Sequence, residues 1–321
     1  MEVTCLNNII KSSKNILIIS HINPDGDTLG SMFGLYSAIY DNFKKRANML
    51  LMSPLPQTYA FLPYSDRAKD VSEYDMSREY DLVINVDVAS DDRMFESAKL
   101  FKHAKSTVNI DHHITNPKYA DMNFVSPEAS STGEVLFDLM KKMGWKISLN
   151  TARCIYTAIL TDTGAFRFSN TSADTMSDIA ELIEIGVTPS EIYKLCYETN
   201  DKNYVLFQAY CLSKAVFSHD DKIAYIPIYK KDMEKFNVND DCTEGLAEKL
   251  RAIKSVEISF IAKQVAPKAT KISMRSEKVD VASVCSKFGG GGHKLAAGAL
   301  IQSPIKETVN KVLHEVNNSV L

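Results

Sequence analysis

Between residues 15 and 113 the chain alternates short, wholly apolar runs with longer stretches whose apolar residues recur every three or four positions. Asn15–Ser20 (NILIIS) has no polar alternation, which predicts a strand covered on both faces, as in a parallel sheet. Leu29 to Tyr40 carries helical spacing. Asn48–Met52, Asp81–Asp87 (DLVINVD) and Thr107–Asp111 (TVNID) read as further strands. Ser131-Thr132-Gly133-Glu134 caps a helix running to Met143, and helices follow near 150–160, 172–185 and 189–197. Strands interleaved with helices predict an α/β fold with a mainly parallel sheet flanked by helices.

Residues 199–218 contain no Pro or Gly and predict a connecting helix. Beyond it the pattern changes: strands at Ile223–Tyr229, Val256–Val265 and Thr270–Arg275, with helices near 243–253, 278–287 and 304–317, predict a smaller α+β domain. The expected organisation is therefore 1–198, a connecting helix over 199–218, and 219–321. A chain of 321 residues is long enough to split into two cores. No apolar run approaches the ~20 residues of a membrane span, and the N-terminus MEVTCLNNIIKSSK lacks a signal-peptide core, so a cytoplasmic protein is expected. The six cysteines (5, 154, 196, 211, 242, 285) are scattered without a CxxC pair, which argues against a zinc ribbon and against a disulfide framework.

Chemistry concentrates where the predicted strands end. The first is followed by His21 and then by Asp25 and Asp27, the Asp81–Asp87 strand closes on Asp87, and the next on Asp111-His112-His113. In an open parallel sheet, ligands bind outside the carboxyl ends of the strands, so clusters far apart in sequence converge at one edge. Asp162, after the apolar Ile155–Leu160, can reach the same edge. Each has a plainer reading: Pro24-Asp25-Gly26-Asp27 as a turn, Asp87 as a cap, His112-His113 as one core and one exposed histidine. Together they point to metal. Asp25, Asp27, Asp87 and Asp162 at one edge would disfavour one another's ionised forms, and two divalent cations offset four carboxylate charges. Oxygen and imidazole donors without thiolate indicate Mn²⁺, with Mg²⁺ or Co²⁺ as alternatives, rather than structural zinc.

Net charge is −3, distributed as −8 over residues 1–221 and +5 over 222–321. Such asymmetry suits a protein that gathers cations in one half and grips an anion with the other. In the second half, Gly289-Gly290-Gly291-Gly292 is either a flexible linker or a loop whose backbone N–H groups approach an anion closely. Arg275 is either a surface arginine or a fork for phosphate, and His293 adds a donor.

The stretches HINPDGDTLGS (21–31), NVDVAS (85–90), IDHH (110–113) and TDTGAFRFSNT (161–171), in that order, resemble the four motifs of the DHH phosphoesterase superfamily. ISMRS (272–276) and FGGGGHKLAAG (288–298) resemble the phosphate-gripping elements of its associated C-terminal domain. The resemblance implies two Mn²⁺ ions, one on His21, Asp25 and Asp87 and the other on Asp27, Asp87, His112 and Asp162. It implies Asp111 orienting the histidines or their loop, His113 beside the substrate phosphate, and Arg275, Ser276, Gly290, Gly291, Gly292 and His293 binding substrate in a cleft between the domains.

Within that superfamily the minimal two-domain layout is similar to that of oligoribonucleases acting on two to about five units that also convert adenosine 3′,5′-bisphosphate to AMP. Soluble cyclic- or linear-dinucleotide phosphodiesterases share the layout and remain the alternative, with a nucleotide-binding sensor as the non-enzymatic one. A binder of long nucleic acid needs many phosphate contacts and a clearly basic surface, so short oligoribonucleotides or small nucleotides are the expected partners. No membrane partner is expected, and a homodimer is left open.

Overall fold

A computed structural model describes residues 2–320, and the chain divides into two compact units, Met1–Thr199 and Asn200–Leu321. The first contains α1 (Glu2–Ser12), β1 (Ile16–Ile19), α2 (Gly26–Phe43), β2 (Asn48–Leu51), β3 (Lys69–Asp70), β4 (Leu82–Val86), α3 (Ala98–His103), β5 (Thr107–Asp111), β6 (Met122–Val125), α4 (Thr132–Lys142), α5 (Leu149–Asp162), α6 (Ala173–Ile185) and α7 (Pro189–Tyr197). Its sheet has the order β3-β2-β1-β4-β5-β6, and every neighbouring pair is parallel.

Strands β1, β4 and β5 are buried along their whole length, which is why they lack polar alternation. Ile16 and Ile18 join a core with Ile10, Phe33, Tyr156 and Ile159. Leu17 and Ile19 face the other way, among Leu50, Val83, Leu100 and Phe101. The chain builds outward from β1 to β3, then returns to place β4 on the other side of β1. Loops leaving β1 and β4 therefore diverge and open a crevice between those two strands.

Helix α2 is held against α5 by glycines spaced four apart. A Cβ on Gly30 would lie 2.5 Å from the Cys154 carbonyl oxygen and 2.9 Å from the Ala158 Cβ. One on Gly26 would lie 2.4 Å from Thr161 Oγ1. At Gly30 backbone approaches backbone, at Gly26 the Thr161 side chain fills the space, and the contact fixes the start of α2 against the end of α5, so that Asp25 and Asp27 stand near Asp162.

The second unit contains α8 (Lys202–Ser213), β7 (Val216–Ser218), β8 (Ile223–Ile228), α9 (Lys230–Phe236), α10 (Leu246–Arg251), β9 (Ile258–Ala266), β10 (Ala269–Ser276), α11 (Val281–Ser286), β11 (Gly291–His293), β12 (Ala296–Ile301) and α12 (Ile305–Val320). Its mixed sheet has the order β11-β12-β10-β9-β8-β7, with β8 and β9 parallel. The helix expected over 199–218 ends at Ser213, because Val216-Phe217-Ser218 pairs with β8 as an edge strand. Nor is α8 a bare connector: its Phe207 and Cys211 are buried with Ile226, Leu246 and Leu250 in the second unit's core. Strands β6 and β11 escape the apolar pattern since one is only half-buried and the other is Gly-Gly-His at an exposed edge. No described helix is long and apolar enough to cross a membrane.

Gly30→Val is expected to lower the urea midpoint by forcing α2 from α5, at about 1–3 kcal/mol for overpacking. An unchanged midpoint would show slack between these helices.

Candidate metal centre

The first unit's polar residues gather at the carboxyl ends of β1, β4 and β5. His21 lies two residues beyond β1, Asp87 directly follows β4, Asp111 ends β5, and Asp162 is the last residue of α5. Asp25 caps α2, accepting from the Thr28 amide at 3.1 Å, so the turn and cap readings hold alongside the site. Asp27 (2 % exposed), Asp87 (3 %) and His21 (6 %) are buried, whereas Asp25 is exposed.

Among the described residues, three groups could hold a metal ion, each with ligand atoms within 4.8 Å of one another: His21, Asp25 and Asp87; Asp27, His112 and Asp162; and Asp87, His112 and His113. Asp87 and His112 each belong to two of them. His21 Nε2 is 3.4 Å from Asp87 Oδ2. His112 Nε2 is 3.6 Å from Asp162 Oδ2, 3.8 Å from Asp27 Oδ2 and 3.9 Å from Asp87 Oδ1. The His112 separations are long for hydrogen bonds. Two donors sharing one small divalent ion at ~2.1 Å stand roughly 3 to 3.5 Å apart, which these spacings approach.

The imidazoles are oriented from behind. His21 Nδ1 donates to the Ile22 carbonyl at 2.6 Å, His113 Nδ1 to Asp111 Oδ1 at 2.8 Å, and His112 Nδ1 faces the Ala129 carbonyl at 3.4 Å. A carbonyl or carboxylate can only accept, so each Nδ1 carries the hydrogen. Nε2 of His21 and His112 is left to the carboxylates, an arrangement typical of metal-ligating histidine. Asp111 is fully buried and also accepts from Asn116 Nδ2, which ties it to both Asn116 and His113.

Electrostatics supply the test of fit. Burial, followed by the charges of Asp87, Asp162 and Asp25, pushes the Asp27 carboxyl well above its usual range, although the Thr132 amide opposes this. Burial, with Asp87 and Asp25 and against the pull of His112, lifts Asp162 to about 6. Burial would raise Asp87 as well, but hydrogen bonding and charge from His21, the charge of His113 and the Thr28 hydroxyl hold it below the usual carboxylate range. Such a cluster is costly as charged oxygens alone, and it presents the oxygen and imidazole donors that a hard divalent ion prefers. The residues fit divalent metal.

Sequence reasoning missed the groups that hold the carboxylates. Asp27 sits on the N-terminus of α4, where the Thr132 amide donates to Oδ2 at 2.8 Å and the Gly133 amide to Oδ1 at 3.0 Å, an end that attracts anions. Ser131-Thr132-Gly133 is legible as a helix cap but not as a cradle for a residue 105 positions away. The Thr28 hydroxyl donates to Asp87 Oδ2 at 2.6 Å and stands 2.7 Å from His21 Nε2. Asp87 itself has φ +60°, a left-handed conformation that costs a non-glycine residue roughly 1–2 kcal/mol and tends to mark functional positions.

The expected substrate-binding residues lie in the second unit. Arg275 Nε donates to Glu248 Oε1 at 2.6 Å and Nη1 to the Met274 carbonyl, so part of its fork is committed. The Ser276 hydroxyl accepts from the Lys278 and Val279 amides. The Gly289 and Gly290 amides donate to the Ser286 and Cys285 carbonyls at the end of α11. Gly291, Gly292 and His293 form edge strand β11 against β12. A Cβ on Gly290 would lie 2.2 Å from the Gly298 carbonyl oxygen, so glycine there serves close packing.

Residues 15–159 match the DHH family, N-terminal domain, and residues 220–320 the DHHA1 domain. The chain is 29 % identical over 293 residues, 90 % of each protein, to the bifunctional oligoribonuclease and PAP phosphatase NrnA of Bacillus subtilis. It is 30 % identical over 292 residues, again 90 % of each, to the probable bifunctional oligoribonuclease and PAP phosphatase NrnA of Streptococcus mutans. The crystal structure of an exopolyphosphatase-related protein from Bacteroides fragilis matches with a TM-score of 0.93 at 27 % identity, covering 99 % of this chain and 96 % of that one. Fold and site together define a two-domain, metal-dependent phosphoesterase. The chain belongs to the DHH family, with a DHHA1 domain as its second unit.

The raised Asp162 carboxyl has a measurable consequence. Because its folded value of about 6 exceeds the ordinary one near 3.9, its contribution destabilises the fold as pH rises through that window and is fully unfavourable above it. In EDTA, Asp162→Asn is expected to raise the thermal midpoint at pH 8 by ~2–4 °C, the response of a ~200-residue domain to about 1 kcal/mol. The gain should vanish near pH 4. Mn²⁺ should stabilise the unsubstituted chain more than the variant. A midpoint lowered equally at both pH values would contradict the electrostatic reading.

Proposed function

We propose that the chain hydrolyses oligoribonucleotides of two to about five units to mononucleotides, and adenosine 3′,5′-bisphosphate to AMP, using two Mn²⁺ ions. Mg²⁺ and Co²⁺ are the alternatives. The observation that carries this reading is the sharing of Asp87 and His112 between overlapping donor groups, as expected for two adjacent ions rather than one. The named relatives support the choice of substrate.

In this reading His21, Asp25 and Asp87 hold one ion, and Asp27, Asp87, His112 and Asp162 the other. When bound, such a pair supplies an acidified water as nucleophile and positive charge against the phosphate oxygens. The chain's own residues do the rest. The α4 amides and Thr28 fix the carboxylates of Asp27 and Asp87 before substrate arrives, so little reorganisation accompanies the reaction. Burial opposes the charged form of His113, but the Asp111 hydrogen bond and the charges of Asp87 and Asp111 raise its pKa overall. That favours an imidazolium able to give the Nε2 proton to the leaving ribose oxygen as the P–O bond breaks. In the second unit Arg275 retains Nη2, which makes no hydrogen bond among the described residues, and with Gly291, Gly292 and His293 it is the proposed grip on a second phosphate.

The test is mononucleotide release from a 5′-labelled RNA dinucleotide with Mn²⁺, beside a long single strand, adenosine 3′,5′-bisphosphate, cyclic di-AMP and polyphosphate. Fast turnover of the dinucleotide and the bisphosphate is expected, with weak cleavage of the long strand. Asp87→Asn should lose at least about a thousandfold in kcat, roughly 4 kcal/mol of transition-state stabilisation. Preference for the cyclic dinucleotide or polyphosphate would reassign the substrate while keeping the chemistry. Absence of all turnover would refute the enzyme reading.

A further inference from the structure

Beneath the metal centre lies a polar network that the chemistry described above does not use. Asn85 on β4 and Asn109 on β5 are in register and completely buried. Their side chains meet the Tyr119 hydroxyl, which stands 3.0 Å from Asn109 Oδ1 and accepts from Asn85 Nδ2 at 3.2 Å. The one proton of that hydroxyl is shared between Asn109 Oδ1 and the Val88 carbonyl, the latter at 2.9 Å, and Asn116 Nδ2 reaches that carbonyl at 3.3 Å. The ring is braced against Phe101 at a centroid distance of 5.6 Å.

This arrangement is costly. Among the described residues Asn85 Oδ1 and Asn109 Nδ2 have no hydrogen-bond partner, and buried polar atoms left unpaired carry the full penalty of their desolvation. Apolar residues at two central strand positions would avoid that cost. What the network secures is the backbone around Asp87. The strained residue is pinned on its amide side by the hydrogen bond to the Ile110 carbonyl at 3.0 Å, and on its far side through Val88. Without the second pin, the left-handed conformation at φ +60° can relax and swing the carboxylate away from His21 and His112. Asn116 links the same carbonyl to Asp111, and hence to His113.

We propose that Tyr119 is a positioning residue for Asp87: its hydroxyl, oriented by Asn85 and Asn109, clamps the Val88 carbonyl and keeps the shared carboxylate aimed at the metal donors. The inference rests on the two-ion reading of the site. Tyr119→Phe keeps the ring and removes the hydroxyl, leaving the Val88 carbonyl with the longer Asn116 contact alone. Titration calorimetry with Mn²⁺ on the variant is expected to show affinity weakened by about tenfold, the lower end for loss of a group supporting metal ligands. kcat should fall while KM for the dinucleotide stays within twofold. Hydrogen exchange in EDTA should quicken in the peptide covering residues 85–90, with the remaining strands unchanged, and this holds as a readout even if the variant loses overall stability. Unchanged Mn²⁺ affinity or unchanged exchange at 85–90 would overturn the proposal, as would a quickening spread evenly over all the strands. Failure of the unsubstituted chain to bind Mn²⁺ would instead remove the two-ion reading beneath it.

Discussion

The structure of the first unit is organised around one unfavourable interaction: carboxylates of like charge held together in a largely buried crevice. Asp27 and Asp87 are nearly inaccessible to solvent, and with Asp162 they face the same imidazole. Left to themselves such groups take up protons or move apart, and the raised values of Asp27 and Asp162 express that tendency. They are nevertheless held in place by the amides of α4, the hydroxyl of Thr28 and a strained strand end. A fold that maintains this repulsion is arranged for a ligand of high positive charge.

Topology makes the convergence possible. Reversal of strand order between β1 and β4 opens the sheet where His21 and Asp87 emerge, and β5 adds its histidines from the next position. Close packing of α2 on α5 through glycine then brings carboxylates from both helix ends to the same edge. Every element contributes through a terminus, so donors come from rigid supports while their side chains remain free to meet.

Much of this was legible in the sequence because strands buried on both faces lack polar alternation, and because the chemistry sits where those strands end. The NILIIS, DLVINVD and TVNID runs located β1, β4 and β5 to within a residue or two, and thereby placed His21, Asp87, His112 and His113 together. What escaped had no local signature. The Thr132 and Gly133 amides look like any helix cap until the chain folds Asp27 onto them, and Tyr119 is an ordinary aromatic residue in a loop. The glycine run is legible only in part: its composition suggests an anion cradle, and the structure adds that the Gly289 and Gly290 amides serve the end of α11 while Gly291 and Gly292 lie in an exposed edge strand. Local composition does not distinguish these uses, since it does not record where the amide hydrogens point.

The most direct test of the account is anomalous diffraction at the manganese edge from crystals of the chain grown with Mn²⁺. The account predicts two peaks per chain, one beside His21, Asp25 and Asp87 and the other beside Asp27, His112 and Asp162, with Asp87 adjoining both. A single peak, or none at these carboxylates, would contradict it.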